Sequence, residues 1–192
     1  IRVTLNLLPP RALTFDSRHH QAGYPTNPIA IIVPFSAGGP TDTVARLLGQ
    51  AMGTDLKQTM IVENVAGAGG TVGAGRAARS DPDGYTLFLH HIGQSTAPAL
   101  YRKLPYNPIE DFAPIGLVTD VPMTIVARGN FPAKDLKELI AYVKSQPGKF
   151  NYGSAGQATT THLVMATLAT RAGLDMVHVP FKGNAPATTA VA

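Results

Sequence analysis

Two short segments rich in glycine and hydroxyl residues carry the groups in this chain that are best suited to chemistry. The first, residues 34–42, reads PFSAGGPTD, and the second, residues 152–163, reads YGSAGQATTTHL. Each joins a predicted strand to a predicted helix. A glycine turn at such a junction leaves backbone N–H groups uncovered at the positive end of the helix, which favours an anion without any cationic side chain. The two segments therefore predict a ligand held between two parts of the chain.

The candidate ligand contacts in these segments are hydroxyls, small residues and one aromatic ring. Serine and threonine hydroxyls can donate to a carboxylate oxygen, and the ring of Phe35 can pack on the carbon chain of a ligand. The plain structural alternatives are glycine needed for a positive φ, threonine caps and a buried aromatic. The candidates are Phe35, Ser36, Ala37, Gly38, Gly39, Ser154, Gly156, Thr159 and Thr160.

Three neighbouring residues are expected to support these loops. Asp42 is interpreted as a cap or a structural hydrogen-bond acceptor, because a bare carboxylate beside an anion is repulsive. His162 lies one turn into the second helix and is expected to orient the loop. Ala158 fits the loop without strain only if its backbone φ is negative.

A third glycine-rich segment, residues 67–75, adds Ala68 and Gly69 as candidate ligand contacts at a predicted helix start. Gly73, Gly75 and Ala78 form a degenerate G-x-G-x-x-A pattern. That pattern falls inside a predicted helix and not after a strand, and no lysine completes a P-loop. Nucleotide binding is therefore not favoured, and Gly73 is expected to permit close packing.

Two adjacent histidines, His90 and His91, end a predicted strand at the carboxyl edge, where open α/β sheets bind ligands. Adjacent residues on a strand point to opposite faces, so the pair cannot easily chelate one metal ion. The simpler interpretation is one packed and one solvent-facing histidine. The alternative is that one of them, His91, contacts the ligand. The sequence predicts no metal site and no cofactor.

The composition excludes several classes of protein. Of the 192 residues, 44% are hydrophobic, which is enough for one large domain or two small ones. The net charge of +4 comes without a Lys/Arg run, so nucleic acid is not an expected partner. Cysteine is absent, which excludes thiol catalysis and zinc–thiolate sites. Apolar runs fall short of the ~20 residues that span a bilayer, so direct membrane insertion is not expected.

Alternating strand and helix patterns are expected to position the candidate segments. The predicted strands are residues 29–33, 60–62, 85–89, 115–118, 124–127, 150–152 and 176–179. The predicted helices are one capped by Thr41 or Asp42, residues 70–79, residues 97–101, one with a capping box at Asp135 and Glu138, residues 159–172, and one opening at Asn184. This alternation predicts an α/β fold with mostly parallel sheets flanked by helices.

Several ordered motifs of the chain resemble the substrate-binding receptors of the tripartite tricarboxylate transporters, the Bug-type family. The motifs are YP at 24–25 leading to PFSAGG at 34–39, ENVAGAGG at 63–70, PDGYTL at 82–87, YGS at 152–154 with HL at 162–163, and VPFKG at 179–183 with PA at 186–187. The resemblance covers about residues 24–192. It departs from the family at residues 1–22, at Ala158, where a glycine is usual, and in lacking roughly the last third of a typical receptor.

The resemblance implies a two-lobed, flytrap-like fold of the periplasmic-binding-protein type. A proline-rich link at residues 104–108 is the predicted lobe boundary. Residues 23–108 are then expected to form the first lobe and residues 109–192 a partial second lobe, with the return crossings incomplete. Residues 1–22 are interpreted as an irregular N-terminal extension.

The same resemblance implies a periplasmic receptor, not an enzyme, that captures a small mono-, di- or tricarboxylate for membrane transporter subunits. Two alternatives remain open at this point. An enzyme acting on an acidic small molecule would need a titratable acid/base pair at the cleft, and neither loop offers one. A truncated fragment without binding competence is the other alternative.

Overall fold

Two parallel sheets organise the computed structural model, which describes residues 23–192. The strands are β1 (Ile29–Val33), β2 (Met60–Asn64), β3 (Thr86–Phe88), β4 (Phe150–Ser154) and β5 (Met176–Pro180). The helices are α1 (Pro40–Leu56), α2 (Thr71–Ala77), α3 (Gly93–Leu100), α4 (Leu136–Lys144), α5 (Thr160–Ala172) and α6 (Asn184–Val191). A 3₁₀ turn, Ala68–Gly70, precedes α2. The predicted α/β fold with parallel sheets is confirmed.

The first lobe, from β1 to α3, is built around a strand that is buried on both faces. The strand order is β2-β1-β3, with all pairs parallel. Ile29, Ile31, Ile32 and Val33 of the central strand are each at most 2% exposed. Such a continuous apolar run is typical of a parallel strand covered by helices on both sides.

Glycines let the helices of the first lobe approach this sheet. A Cβ on Gly49 of α1 would lie 3.3 Å from the Cβ of Met60, and one on Gly73 of α2 would lie 2.7 Å from the Cβ of Pro34. The distance at Gly73 is too short for any residue larger than glycine. The expectation that Gly73 permits close packing is therefore confirmed.

The predicted cap of α1 is wrong. The helix begins at Pro40 with Gly39 as its N-cap, and neither Thr41 nor Asp42 caps it. The fixed φ of proline suits the first helical position, where its missing N–H costs nothing. Asp42 instead accepts hydrogen bonds from Gly38 N at 2.8 Å, Arg46 Nε at 3.0 Å and Asn64 Nδ2 at 3.0 Å, so its interpretation as a structural acceptor is confirmed.

The second lobe, from α4 to α6, contains the parallel pair β4-β5. Its first helix starts with the predicted capping box: Asp135 Oδ1 accepts from Glu138 N at 2.8 Å. A cluster of three aromatic rings, from Phe131, Tyr142 and Phe150, packs α4 against the start of β4 with centroid distances of 5.5 to 5.9 Å.

The predicted strands at residues 115–118 and 124–127 are wrong. Residues 112–128 form no strand, and the apolar side chains of residues 113–128 are exposed, with Ile115 at 87% and Leu117 at 83%. The local pattern favours a strand, but a strand forms only when a neighbouring strand takes up its N–H and C=O groups. The structure provides no such neighbour for this segment among the described residues.

The other boundaries differ in detail from the predictions. Helix α3 begins four residues before the predicted start at residue 97, and α2 ends at Ala77, two residues early. In residues 23–192 no helix combines the length and apolar character that crossing a membrane requires. The predicted extension at residues 1–22 lies outside the described residues, and the lobe boundary after residue 108 stays a prediction.

Candidate functional site

The two predicted anion-binding segments lie where the lobes touch. The first follows β1 and opens α1, and the second follows β4 and opens α5. Ser36 N donates to the carbonyl of Lys182 across the lobes at 3.0 Å. A Cβ on Gly156 would lie 3.5 Å from the Cα of Gly69. Loops at the carboxyl ends of several parallel strands therefore meet, which is where open α/β sheets place ligands.

Each of the two segments carries a buried hydroxyl without a hydrogen-bond partner. Within residues 23–192, four buried side-chain atoms have no partner, and two of them are Ser36 Oγ and Thr160 Oγ1. Leaving a buried hydroxyl unpaired costs about 1–3 kcal/mol, so native proteins rarely retain one without a reason. Both hydroxyls are donors that an anionic ligand can use: Ser36 lies in the loop before α1, and Thr160 is the first residue of α5.

Other hydroxyls of the second segment are used by the loop itself. Ser154 is 2% exposed, and its Oγ accepts from Gly156 N at 3.1 Å and lies 3.0 Å from Gly156 O. Thr159, 1% exposed, donates from Oγ1 to Gly156 O at 2.7 Å. These bonds show the two side chains holding the loop, and a direct ligand contact by either of them stays a prediction.

The backbone at Ala158 is in the left-handed region, with φ +61°. This is the conformation that the usual glycine would adopt freely and that costs an alanine about 1–2 kcal/mol. The condition that φ be negative is therefore not met. His162 compensates, since its Nδ1 accepts from Ala158 N at 3.0 Å. The expectation that His162 orients the loop is confirmed.

A stack of two imidazoles lies behind this loop. The rings of His162 and His178 are parallel within 7° at a centroid distance of 3.9 Å, and Tyr152 stacks on His178 at 5.0 Å. His178 Nε2 is 2.6 Å from Ser154 Oγ. Burial lowers the pKa of both histidines, and His162 lowers that of His178 further. Both rings are therefore neutral at neutral pH.

In the first lobe, Phe35, His90 and His91 form an aromatic cluster. Phe35 stacks on His91 with centroids 4.7 Å apart and meets His90 edge-on at 5.5 Å. Burial lowers the pKa of His90 to about 3, helped by His91, and lowers the pKa of His91 to about 4. Neither side chain is exposed, so the expectation of one solvent-facing histidine is wrong: both imidazoles pack on the ring of Phe35.

The third candidate turn, with Ala68 and Gly69, faces the second lobe. Gly69 has φ +63°, and a Cβ on it would overlap the carbonyl oxygen of Gln157. The hydroxyl of Tyr101 lies 2.8 Å from Ala68 O and 3.0 Å from Gln157 O. Both candidates thus belong to the contact between the lobes, and a ligand contact by them stays a prediction.

Of the remaining candidates, Ala37 and Gly38 are exposed on the first loop and Gly39 is buried at the helix start. The sequence interpretation missed Tyr101 and Gln157. The loop at residues 181–184 also joins the carboxyl end of a parallel strand, β5, to a helix, α6, and the carbonyl of Lys182 in it accepts from Ser36 N. Among the described residues, no group of three or more His, Cys, Asp or Glu side chains has a geometry for holding a metal ion.

The fold and the loop arrangement are those of a two-lobed periplasmic binding protein. The structure matches that of the periplasmic binding protein BugD with a TM-score of 0.85 and 48% identity, over 88% of this chain and 56% of that one. It matches MatC of Rhodopseudomonas palustris with bound malate with a TM-score of 0.81 and 41% identity, over 88% and 57% of the two chains.

Sequence comparison leads to the same class. Residues 44–192 match the family model described as the tripartite tricarboxylate transporter family receptor. A UPF0065 protein from the TAR-I ttuE-ttuC' intergenic region of Agrobacterium vitis is 45% identical over 189 residues, which are 98% of this chain and 53% of the relative. The chain belongs to this receptor family. It spans about half the length of the curated relatives it matches.

Proposed function

We propose that this protein is a solute-binding receptor that takes up a small carboxylate between its two lobes. The observation that carries the proposal is the pair of buried, unpartnered hydroxyls, Ser36 Oγ and Thr160 Oγ1. Ser36 lies in the loop that leads from β1 into α1, three residues before the N-cap Gly39, and Thr160 is the first residue of α5, so each lobe contributes one hydroxyl near a helix N-terminus, which favours an anion. A carboxylate supplies the acceptors that such donors lack.

The site would bind through neutral donors. The histidines nearest to the first loop, His90 and His91, are uncharged at neutral pH because burial depresses their pKa values to about 3 and about 4. The ring of Phe35, stacked on His91, offers an apolar surface for the carbon chain of the ligand. Hydroxyl and backbone donors bind a carboxylate without transferring a proton to it, which suits capture and release.

The known relatives support this assignment. One matching structure is a periplasmic binding protein and another holds malate. A receptor of this family is expected to work in the periplasm and to deliver its ligand to the membrane subunits of a tripartite tricarboxylate-type transporter. We extend that role to this chain, with a small dicarboxylate such as malate as the first ligand to test.

Catalysis is not part of the proposal. The arrangement most similar to a catalytic pair is Ser154 with His178, 2.6 Å apart. Ser154 is nearly fully buried, and its hydroxyl is bonded within its own loop to Gly156. No carboxylate accepts a hydrogen bond from His178 among the described residues, so a third member of a triad is missing there.

Calorimetry with a panel of carboxylates that includes malate tests the proposal. Replacing Ser36 or Thr160 by alanine is expected to weaken binding about tenfold, since a hydrogen bond to a charged group contributes ~1.5–3 kcal/mol. Ser145→Ala is the matched control, because its hydroxyl bonds only to Tyr142 O at the end of α4. Unchanged affinity in both site variants would show that Ser36 and Thr160 do not contact the ligand. Catalytic conversion of the acid would show that the protein is an enzyme and not a receptor.

A further inference from the structure

The peptide group that joins Gln157 to Ala158 is held from both sides by side chains of different lobes. Its carbonyl oxygen lies 3.0 Å from the hydroxyl of Tyr101, which donates from the end of α3 in the first lobe. Its N–H donates to Nδ1 of His162, one turn into α5 in the second lobe, also at 3.0 Å. One peptide plane therefore has both of its polar groups bonded to side chains.

This peptide needs such support, because the backbone at Ala158 is left-handed with φ +61°. A non-glycine residue in that region costs about 1–2 kcal/mol, so the loop keeps this shape only where its surroundings impose it. Thr159 and Thr160 follow directly and start α5. The orientation of the peptide therefore affects the donors at the start of the helix.

The first lobe is shaped to receive the peptide. Gly69, with φ +63°, faces the carbonyl of Gln157, and a Cβ at Gly69 would lie 2.6 Å from the hydroxyl of Tyr101 as well as overlapping that carbonyl. The absence of a side chain lets the turn and the loop approach within contact. The contact thus depends on backbone fit as well as on a single hydrogen bond.

The hydroxyl of Tyr101 has one hydrogen-bond acceptor in each lobe. It has one proton and two carbonyl acceptors, Ala68 O in its own lobe at 2.8 Å and Gln157 O in the other lobe at 3.0 Å. Burial raises the pKa of Tyr101, so the group stays a protonated donor. Separation of the lobes would leave the bond to Ala68 intact, which makes the bond to Gln157 a small, reversible gain on closure.

We propose that Tyr101 and His162 are positioning residues that clamp the Gln157–Ala158 peptide and so make the shape of the second anion loop depend on contact with the first lobe. The inference rests on the proposed function for its ligand, but not for its geometry. When the lobes are in contact, the clamp holds the start of α5 in its binding conformation. When they separate, the carbonyl of Gln157 loses its partner and the strained peptide is free to reorient.

Tyr101→Phe removes the hydroxyl and keeps the ring. The matched control is Tyr106→Phe, because the hydroxyl of Tyr106 is buried without a partner among the described residues. The first readout needs no ligand: hydrogen exchange at the Ala158 amide, followed by NMR, is expected to accelerate about fivefold in Tyr101→Phe and to stay within about twofold in the control.

Hydrogen exchange at the Ala158 amide also tests the contact of the peptide with His162. His162→Ala is expected to accelerate its exchange about tenfold or more, since it removes the acceptor itself. His162→Asn, which offers an amide oxygen near the position of Nδ1, is expected to restore much of the protection. With malate as the probe, Tyr101→Phe is expected to raise Kd about fivefold through faster dissociation, with an association rate close to that of the unsubstituted chain.

The outcomes separate the clamp from the receptor assignment. Unchanged exchange at Ala158 in Tyr101→Phe would overturn the clamp, whether or not malate binds. Faster exchange in Tyr101→Phe and His162→Ala, with recovery in His162→Asn, would support it. If those exchange effects occur and the panel of carboxylates shows no binding to the unsubstituted chain, the clamp stands and the proposed function fails.

Discussion

The two lobes share a β-α-β-α order and reach different degrees of burial. In the first, β1, α1, β2 and α2 are followed by β3, which pairs with β1 on the side opposite β2. In the second, β4, α5 and β5 are followed by α6, and the described sheet has two strands. A groove of about 730 Å³ runs beside β4, between that strand and residues 121–128.

The difference shows in the side chains. The central strand β1 is at most 2% exposed at its four large apolar positions, whereas β4 is fully buried only at Ser154 and α5 has no buried residue. Residues 121–128, which line the other wall of the groove, expose Val121, Ile125 and Val126 by about half. Burial in a parallel sheet therefore depends on having neighbours on both edges, and the β-α order alone does not provide it.

Removing a large side chain from the first core is expected to have the largest effect on stability. Ile31 is 1% exposed, and Ile31→Ala is expected to cost about 2–5 kcal/mol, because the cavity cannot refill. The same change at Ile125, which is 46% exposed, is expected to cost less than about 1 kcal/mol. Urea unfolding of both variants measures the contrast, and equal losses would contradict the difference in burial.

Acid is expected to destabilise the first lobe more than the second. The folded state depresses the pKa of His90 to about 3 and that of His91 to about 4 from the usual 6.5. The unfolded chain therefore binds more protons in this interval, so the stability is fully present above pH 6.5 and is lost as the pH falls toward 3. The expected loss is on the order of a few kcal/mol.

The acid effect is checked by unfolding at a series of pH values. His90→Gln combined with His91→Gln is expected to flatten the pH dependence, and His178→Gln in the second lobe is expected to flatten it less. A profile that keeps its full slope in the double variant would assign the acid sensitivity to other groups.

Self-association is expected to arise from the exposed apolar segment that follows the first lobe. Ile115 and Leu117 are 87% and 83% exposed, and contiguous exposed apolar surface favours contact between molecules. Replacing Leu117 by aspartate is expected to weaken association about tenfold, as measured by light scattering over a concentration series. Leu47→Asp, at a 64% exposed position on α1, is the control; an equal effect there would mean that the segment has no special part in association.

The smallest expected effect is at the strained loop of the second lobe. Ala158→Gly should stabilise the protein by up to about 1 kcal/mol, because glycine adopts φ +61° without strain. Ala141→Gly, inside α4, should have the opposite sign and cost about 1 kcal/mol. Thermal unfolding of the two variants gives the comparison, and a destabilised Ala158→Gly would mean that the alanine is not strained there.

Much of the architecture was predictable from local patterns. The apolar run at Ile29–Val33, the capping box of Asp135 with Glu138 and the glycine turns between strands and helices each encode their structure within a few neighbouring residues. The places where two helix starts could receive an anion followed from the same patterns. Such features depend on backbone preference and on periodicity, which are properties of a short stretch of chain.

Features that require contact between residues far apart in the sequence were decided by the tertiary structure. The segment at residues 115–127 has a strand pattern but no strand, because pairing requires a neighbour that sequence proximity does not supply. The contact of Tyr101 with Gln157 joins residues 56 positions apart, and no local motif predicts it. Likewise, both histidines at 90–91 are packed because Phe35, from the end of another strand, lies against their rings. Sequence alone determined where the donors are, and folding determined which of them are bonded within the protein and which have no partner among the described residues.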